Sequence, residues 1–240
     1  MRKTLAILAA MLAFVAFSSK VQAESNFSGS VDVGAYSAYM GSTSGLPNFE
    51  GWLPQQSVTL KHNPSGVSLC VWNSASLDGR KNGGDETDVT LTISRTFGNF
   101  SVDAGYAYWA ITGPDLQDIF LNATYKVADR TSLFFCLDGV IPNEPTKLEG
   151  GVLHKFGVKQ SFSFVGQKFA LKAFVGGHDG AFGSKPEHFA VGRVDLSTTI
   201  GVIGKLTATP VLCLQIPVNG DCETKVFGGA NLSLPFGENK

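Results

Sequence analysis

Histidine is the side chain best suited to acid–base chemistry near neutral pH, and the sequence contains His62, His154, His178 and His188. A hydrolase needs a nucleophile within hydrogen-bond reach of a histidine that a third polar group orients. The sequence pattern puts His62 and His188 at strand ends, His178 in a loop and His154 among apolar strand residues. The sequence also contains no Gly-x-Ser-x-Gly or His-Glu-x-x-His motif. We therefore predict that the protein is not an enzyme and has no catalytic residues.

Two loop segments carry residues that could bind a metal ion. The Gly-Gly-Asp-Glu segment 83–86 and Asp78 offer the oxygen ligands that Ca²⁺ takes, but a solvated acidic loop is the interpretation we favour. His178 and Asp179 supply one imidazole and one carboxylate, whereas a zinc site needs three or four protein ligands. We therefore predict neither a metal nor a cofactor.

The four cysteines are widely spaced, at Cys70, Cys136, Cys213 and Cys222, and fit no zinc or redox motif. Only Cys213 and Cys222 are close enough in sequence for a local disulfide across a loop. The alternating pattern places the first three on the polar face of their strands, where each could be an isolated small side chain. Both interpretations stay open.

These candidate residues are positioned by short β-strands. After residue 24, apolar and polar residues alternate in runs of about ten, which predicts strands with one apolar face and one polar face. In the run 86–97, Val89 and Leu91 share one face, and Asp88 and Thr90 share the other. We count twelve strands, with ten as the alternative count. They are 26–37, 56–62, 66–75, 86–97, 99–111, 117–127, 131–141, 150–164, 168–177, 187–200, 204–216 and 222–236.

Short and long connections alternate strictly between these strands, as they do in a transmembrane barrel with short periplasmic turns and longer outer loops. Charged residues make up only 16% of the chain, against about a quarter in soluble domains. We predict an all-β fold, a transmembrane up-and-down antiparallel β-barrel, in one domain over 24–240; a β-sandwich is the alternative. The short turns are 63–66, 98–99, 128–130, 165–167 and 201–203.

Both ends of the sequence predict export. Arg2 and Lys3, the apolar run 5–17 and the small residues before Glu24 predict a cleavable signal peptide over 1–23. At the other end Leu232, Leu234 and Phe236 share one face, which resembles the C-terminal signal read by the outer-membrane assembly machinery. We therefore predict a protein of the Gram-negative outer membrane, with membrane lipids and that machinery as partners. A net charge of -1 gives no reason to expect nucleic acid as a partner.

The charges predicted to line the lumen are sorted along the chain, with acids mostly in the first seven strands and bases mostly in the later ones. If the two sets pair across a narrow barrel they close it, and if they stay apart they form the transverse field of a small-solute pore. Charges that are simply solvated in a wide lumen are the third alternative. The candidates are Lys61, Asp88, Asp103, Asp118, Lys126, Asp138, Lys155, Lys159, Lys172, Arg193 and Asp195, with Lys168 and Lys225 nearby.

Aromatic residues also fall on the lumen side of the predicted strands. They could form a track on which sugars stack. The residues concerned are Trp72, Trp109, Phe120, Phe134 and Phe174.

Three segments carry a likeness to known proteins: Val-Trp-Asn-Ser at 71–74, Gly-Gly-Asp-Glu-Thr-Asp at 83–88, and Asn-Phe-Ser-Val-Asp-Ala-Gly-Tyr-Ala-Tyr-Trp at 99–109. On these motifs the chain resembles a bacterial family of conserved, porin-like proteins of unknown function that are expected to be outer-membrane β-barrels. The match covers roughly the first half of the mature chain. The resemblance implies export and a barrel, with no catalytic residues to carry over.

Taken together, the sequence favours a passive porin-like channel for small hydrophilic solutes. A closed barrel used for surface interaction or membrane integrity, without transport, is the alternative. A lipid-modifying outer-membrane enzyme ranks third.

Overall fold

The computed structural model describes residues 26–40, 47–76, 85–111, 115–143, 149–181, 186–219 and 222–237. The predicted signal peptide over 1–23 lies outside these residues. They form one antiparallel sheet of thirteen strands, and they contain no helix long and apolar enough to cross a membrane. The strands are β1 (Phe27–Met40), β2 (Pro47–His62), β3 (Val67–Ser74), β4 (Glu86–Phe97), β5 (Phe100–Ile111), β6 (Leu116–Ala128), β7 (Thr131–Pro142), β8 (Gly151–Phe164), β9 (Gln167–Asp179), β10 (Glu187–Thr198), β11 (Ile200–Ile203), β12 (Leu206–Pro217) and β13 (Lys225–Phe236).

The sheet closes on itself. Strand β1 pairs with β13, and β10 pairs with β12 between Val191 and Ser197. The short strand β11 continues β10 beyond Thr199 and pairs with the same partner, β12. The result is a barrel of twelve antiparallel strands with one short extension, which confirms the predicted fold class. Closure leaves no unpaired sheet edge among the long strands.

The register of the paired strands aligns residues of the same face from one strand to the next around the barrel. Leu69, Leu91 and Tyr106 are paired across three neighbouring strands, and so are Cys70, Thr90 and Ala107 one position along. Leu91 is 47% exposed, whereas Ala107 is 4% exposed. Because the inside of a closed barrel is shielded by its own wall, the exposed apolar row lies outside and the second row faces inward.

The interior carries apolar packing at the end of the barrel where the longer loops lie. Leu116, Val140, Leu153 and Ala181 form a buried cluster, against which Trp109 and Ile111 pack. Leu116 begins β6 and Val140 lies near the end of β7, so the cluster fills part of the long-loop end. A second buried cluster is formed by Ala38, Met40, Cys213 and Phe227, so apolar side chains share the interior with polar and charged ones.

Several strand boundaries differ from the prediction, and two of them change the connections between strands. Strand β2 begins at Pro47 rather than at residue 56. The sequence predicts a loop before residue 56, because the segment contains Gly51 and Pro54 and both residue types are common in loops. In the structure this segment belongs to the β1–β2 ladder, whose register has irregularities there. The last short turn lies at Gly204 and Lys205 rather than at 201–203. Gly204 has a φ of 57° there, a conformation that favours glycine.

Gly105 tests how tightly the wall is packed. A Cβ at Gly105 would overlap the Leu91 carbonyl oxygen and the Phe120 ring, whereas a Cβ at Gly201 has no neighbour within 4 Å. We expect Gly105→Val to lower the free energy of unfolding by about 1–3 kcal/mol, and Gly201→Val to leave it nearly unchanged. Urea unfolding of the refolded barrel in detergent measures both, and equal midpoints for the two variants would contradict the packing described here.

Candidate functional site

The site is the inward face of the barrel. Cross-strand pairing carries this face from Thr90 through Ala107 to Asp118, and the same alternation extends it around the ring. Lys126 and Lys61 lie at the short-turn rim, where Lys126 Nζ pairs with Asp129 at 2.9 Å. Every residue predicted to line the lumen falls on this face: Lys61, Asp88, Asp103, Asp118, Lys126, Asp138, Lys155, Lys159, Lys172, Arg193 and Asp195.

Acidic and basic side chains are concentrated in different arcs of the ring, with Lys126 on β6 and Asp195 on β10 as exceptions. We call the carboxylates on β4 to β7 the acidic wall and the cations on β8 to β10 the basic wall. In a ring of twelve strands, β4 lies directly opposite β10, whereas β7 and β8 are neighbours. The two walls therefore face each other at one pair of strands and adjoin at another. The acidic wall consists of Glu86, Asp88, Asp103, Asp118 and Asp138, and the basic wall of Lys155, Lys159, Lys172 and Arg193.

Two lysines of the basic wall lie against aromatic rings. Lys159 Nζ and Lys172 Nζ are each 5.2 Å from the centre of the Phe134 ring, and Lys172 Nζ is 5.1 Å from that of Phe174. Gly157 is the register partner of both phenylalanines, and a Cβ there would lie 2.6 Å from Phe174 Cβ and 2.8 Å from the Phe134 ring. The glycine therefore makes the space in which the two rings meet edge to face, 6.3 Å apart.

Arg193 extends the same arrangement along the wall. Its guanidinium carbon is 5.9 Å from the Phe174 ring centre and 4.8 Å from that of Phe227. Arg193 Nε donates to Asp195 Oδ1 at 2.6 Å, and a terminal nitrogen donates to Cys213 Sγ at 3.3 Å. We call the alternating series the cation–aromatic ladder, which comprises Lys159, Phe134, Lys172, Phe174, Arg193 and Phe227.

The two lysines of the ladder are held by aromatic rings rather than by carboxylates. Arg193 pairs with Asp195, Lys126 with Asp129 and Lys225 with Glu50. These pairs involve neither Lys159 nor Lys172. Asp195 is the register partner of Lys172, but its carboxylate is bonded to Arg193. A cation–π contact of about 0.5–2 kcal/mol holds each lysine without neutralising it.

The acidic wall holds carboxylates that repel one another. Glu86 and Asp118 lie close enough to act on Asp88, whereas Asp138 and Lys155 act on Asp118 with opposite signs. Asp118 is 4% exposed, and in the described part of the chain the Oδ1 atoms of Asp88 and Asp118 are buried without a hydrogen-bond partner. A buried acceptor without a donor is costly, so these two oxygens are free to accept a hydrogen bond from a further donor.

The four histidines lie on four different strands. His154 faces outward, beside the Phe189 ring at 6.3 Å, and His62 Nδ1 contacts Ser65 Oγ at 2.7 Å within a short turn. His178, predicted in a loop, is instead a buried residue of β9 paired with Leu153, because that strand runs two residues further than its alternation suggested. His188 lies in β10.

The His62–Ser65 contact is a polar pair that the sequence did not reveal. The sequence feature that could have indicated it is the three-residue spacing of His62 and Ser65 at the 63–66 turn, which brings the two side chains together. The pair is formed by one turn, and the ring of His62 otherwise packs on Phe27 at 4.9 Å.

The metal candidates gain no support from the geometry. Asp78 and residues 83–84 lie outside the described residues, and the neighbouring Asp85 Oδ1 accepts from Ser76 N at 2.7 Å. Within the described ranges, no group of three or more His, Cys, Asp or Glu side chains is arranged to hold a metal ion.

The disulfide considered for Cys213 and Cys222 is not formed in this structure, where both cysteines are free. Cys213 faces the lumen from β12 beside Arg193, whereas the Cys222 thiol donates to the Ala190 carbonyl at 3.6 Å. The two side chains are thus engaged by different partners. Cys70 and Cys136 are also free.

The aromatic residues proposed as a sugar track all face inward, but they do not form one track. Phe134 and Phe174 carry the cations of the ladder, whereas Trp72 lies across the ring beside Tyr39 at 5.9 Å. Trp109 packs on the apolar cluster at the long-loop end. The sequence could not show the ladder, because it depends on which strands are paired and in which register.

The residues considered as an assembly signal lie on the outward face of β13. Val33 of β1 pairs with Leu232 and Val31 pairs with Leu234, and Leu232 is 46% exposed. Phe236 ends the strand. Their role in assembly stays a prediction.

No protein-family model matches the sequence, and no curated protein matches it. Solved structures of outer-membrane porin-like barrels do resemble the fold. A structure described as the NanC porin shares 9% identity with a TM-score of 0.59, covering 85% of this chain and 98% of that one. The KdgM porin in complex with disordered oligogalacturonate shares 8% identity with a TM-score of 0.54, covering 88% and 99%. An outer membrane channel from Pseudomonas putida F1 shares 8% identity with a TM-score of 0.50, covering 88% and 95%.

Proposed function

We propose that the protein is an outer-membrane β-barrel that acts as a passive, porin-like channel for small hydrophilic solutes. The observation that carries the proposal is the inward face, where Lys159 and Lys172 on one side and Asp88 and Asp118 on the other remain unpaired with each other. Side chains that closed the lumen would be expected to pair, because buried charges need partners. Charges kept apart instead suit a water-filled passage.

The outer surface supports the membrane part of the proposal. Apolar side chains on the outward face of successive strands are open to the surroundings, among them Leu91 of β4 at 47% exposure and Ile119 of β6 at 60%. A continuous apolar belt of this kind is unfavourable in water, and it is what a bilayer requires of a barrel. The short turns would then face the periplasm and the longer loops the outside.

The sequence signals agree with that location. The predicted signal peptide over 1–23 would deliver the chain across the inner membrane. The outward residues Leu232, Leu234 and Phe236 of β13 would then be available to the assembly machinery.

A closed barrel without transport is the second candidate. It is favoured by the buried cluster of Leu116, Val140 and Leu153, which fills part of the long-loop end. Such a barrel would serve surface interaction or membrane integrity. Conductance separates the two candidates directly.

Arginine placed on either face tests the membrane belt. Leu121 and Asn122 are neighbours in β6, the first facing outward and the second inward. We expect Leu121→Arg to destabilise the barrel in lipid by about 2–4 kcal/mol, because the charge would lie in the bilayer core, and Asn122→Arg to cost much less. Unfolding in lipid vesicles, followed by heat-dependent gel mobility, measures the difference. Equal losses for both variants would overturn the assignment of the faces.

Single-channel conductance tests the passage itself. The refolded mature protein should give discrete current steps in a planar bilayer that scale with salt. Thr90→Trp narrows the inward face and should lower the step at least about twofold, whereas Val89→Trp adds the same side chain to the outward face and should leave it unchanged. A folded barrel that gives no current steps would favour the closed candidate.

A further inference from the structure

We propose that the lumen selects small zwitterionic solutes, with a cationic group directed to the acidic wall and an anionic group to the cation–aromatic ladder. This inference rests on the proposed channel function and names its solute class. It follows from the carboxylate oxygens and lysines that have no partner within each wall and from the positions of the two walls around the lumen.

Two carboxylate oxygens of the acidic wall lack a hydrogen-bond donor. In the described part of the chain, Asp88 Oδ1 and Asp118 Oδ1 have no partner although both atoms are buried. Glu86 adds negative charge beside Asp88 and Asp138 adds it beside Asp118, where Lys155 acts with the opposite sign. An ammonium group supplies positive charge and three N–H donors at once. It can therefore hydrogen-bond the unpaired oxygens and offset the negative charge, whereas a neutral hydroxyl supplies only a hydrogen bond.

The two lysines of the ladder lack an ion pair in the described part of the chain. Lys159 and Lys172 are direct register partners on β8 and β9, and both ammonium groups lie 5.2 Å from the same Phe134 ring. Two like charges fixed side by side repel each other, and a carboxylate, sulfonate or phosphate lying between them would relieve that repulsion. Asp195 cannot do so fully, because its carboxylate holds Arg193 at 2.6 Å.

The two requirements together define the solute. A simple cation gains at the acidic wall alone, a simple anion gains at the ladder alone, and a neutral solute gains at neither. A zwitterion gains at both and brings no net charge into the lumen, and the field between the walls aligns its dipole across the passage. We therefore expect zwitterions to pass faster than neutral solutes of equal size.

Native cysteines report the field at each wall. Cys70 on β3 has Asp32 and Asp88 as its charged neighbours. Cys136 on β7 is the register partner of Lys155, and Lys172 and Lys159 also act on it, together with Asp138. Both thiols are free and partly accessible on the inward face, so each samples the potential next to one wall.

The first experiment measures thiol modification in the refolded full-length mature barrel. One variant keeps only Cys70 and the other keeps only Cys136, with the remaining cysteines changed to serine. Each is treated with neutral, cationic and anionic methanethiosulfonates of similar size. We expect the ratio of cationic to anionic rates to be at least about tenfold higher at Cys70 than at Cys136, since potentials of several kT separate such surfaces. Asp88→Asn should lower the ratio at Cys70, and Lys172→Gln should raise it at Cys136.

The second experiment measures solute entry by swelling of proteoliposomes. We expect 4-aminobutyrate to enter at least about threefold faster than neutral 4-hydroxybutyramide, which has a similar size. The double variant Lys159→Gln/Lys172→Gln should reduce that ratio towards one. Lys205→Gln, a change of the same kind in the turn at 204–205, should leave the ratio as it is.

The outcomes distinguish the two proposals. If the neutral reagent reaches neither thiol in the folded barrel and no solute causes swelling, the channel function itself is wrong. If neutral reagent and neutral solute both enter, but the rate ratios at Cys70 and Cys136 are equal and 4-aminobutyrate has no advantage, the channel stands and selection of zwitterions is overturned. Preference for 4-aminobutyrate that the double lysine variant removes supports the inference.

Discussion

Closure of one antiparallel sheet is the constraint on which the rest of this structure depends. Once β1 pairs with β13 and β10 pairs with β12, each long strand has two neighbours and its backbone groups are satisfied within the sheet. Closure also divides the side chains into an inner and an outer set. Because the side-chain period is two residues, a slip of one residue in any strand would exchange these sets. The apolar belt and the charged lumen are therefore consequences of the same register.

Inside the barrel, the register decides which charges meet. Strands β4 to β7 bring carboxylates together, and β8 to β10 bring cations beside aromatic rings. Gly157 leaves the gap in which Phe134 and Phe174 pack, and the rings then hold the lysines at the wall. Arg193 is the exception, since Asp195 neutralises it. The separation of sign thus arises from the order of strands along the chain, and a passage lined in this way carries a field across its width.

Much of this architecture could be predicted from the sequence, because alternation and turn spacing are local properties. Residues such as Asp88 and Lys172 were assigned to the inward face from alternation alone. Other features depend on contacts between distant segments. The start of β2 at Pro47 is supported by pairing with β1, burial of His178 follows from its pairing with β8, and the ladder needs the register of several strands. Likewise, Cys213 and Cys222 contact different residues of β10, Arg193 and Ala190 respectively, rather than each other. The sequence therefore predicted the faces, while the three-dimensional pairing determined the partners.

The measurement that tests the central claim most directly is the accessibility of spin labels placed one at a time along β6, from Gln117 to Lys126, in lipid vesicles. The account predicts a period of two residues. Labels at Leu121 and Ala123 should be accessible to oxygen dissolved in the bilayer, and labels at Asn122 and Thr124 to a water-soluble nickel chelate. A profile without alternation would contradict the barrel faces. Alternation in which the nickel chelate reaches none of the inward positions would show a lumen closed to small hydrophilic solutes.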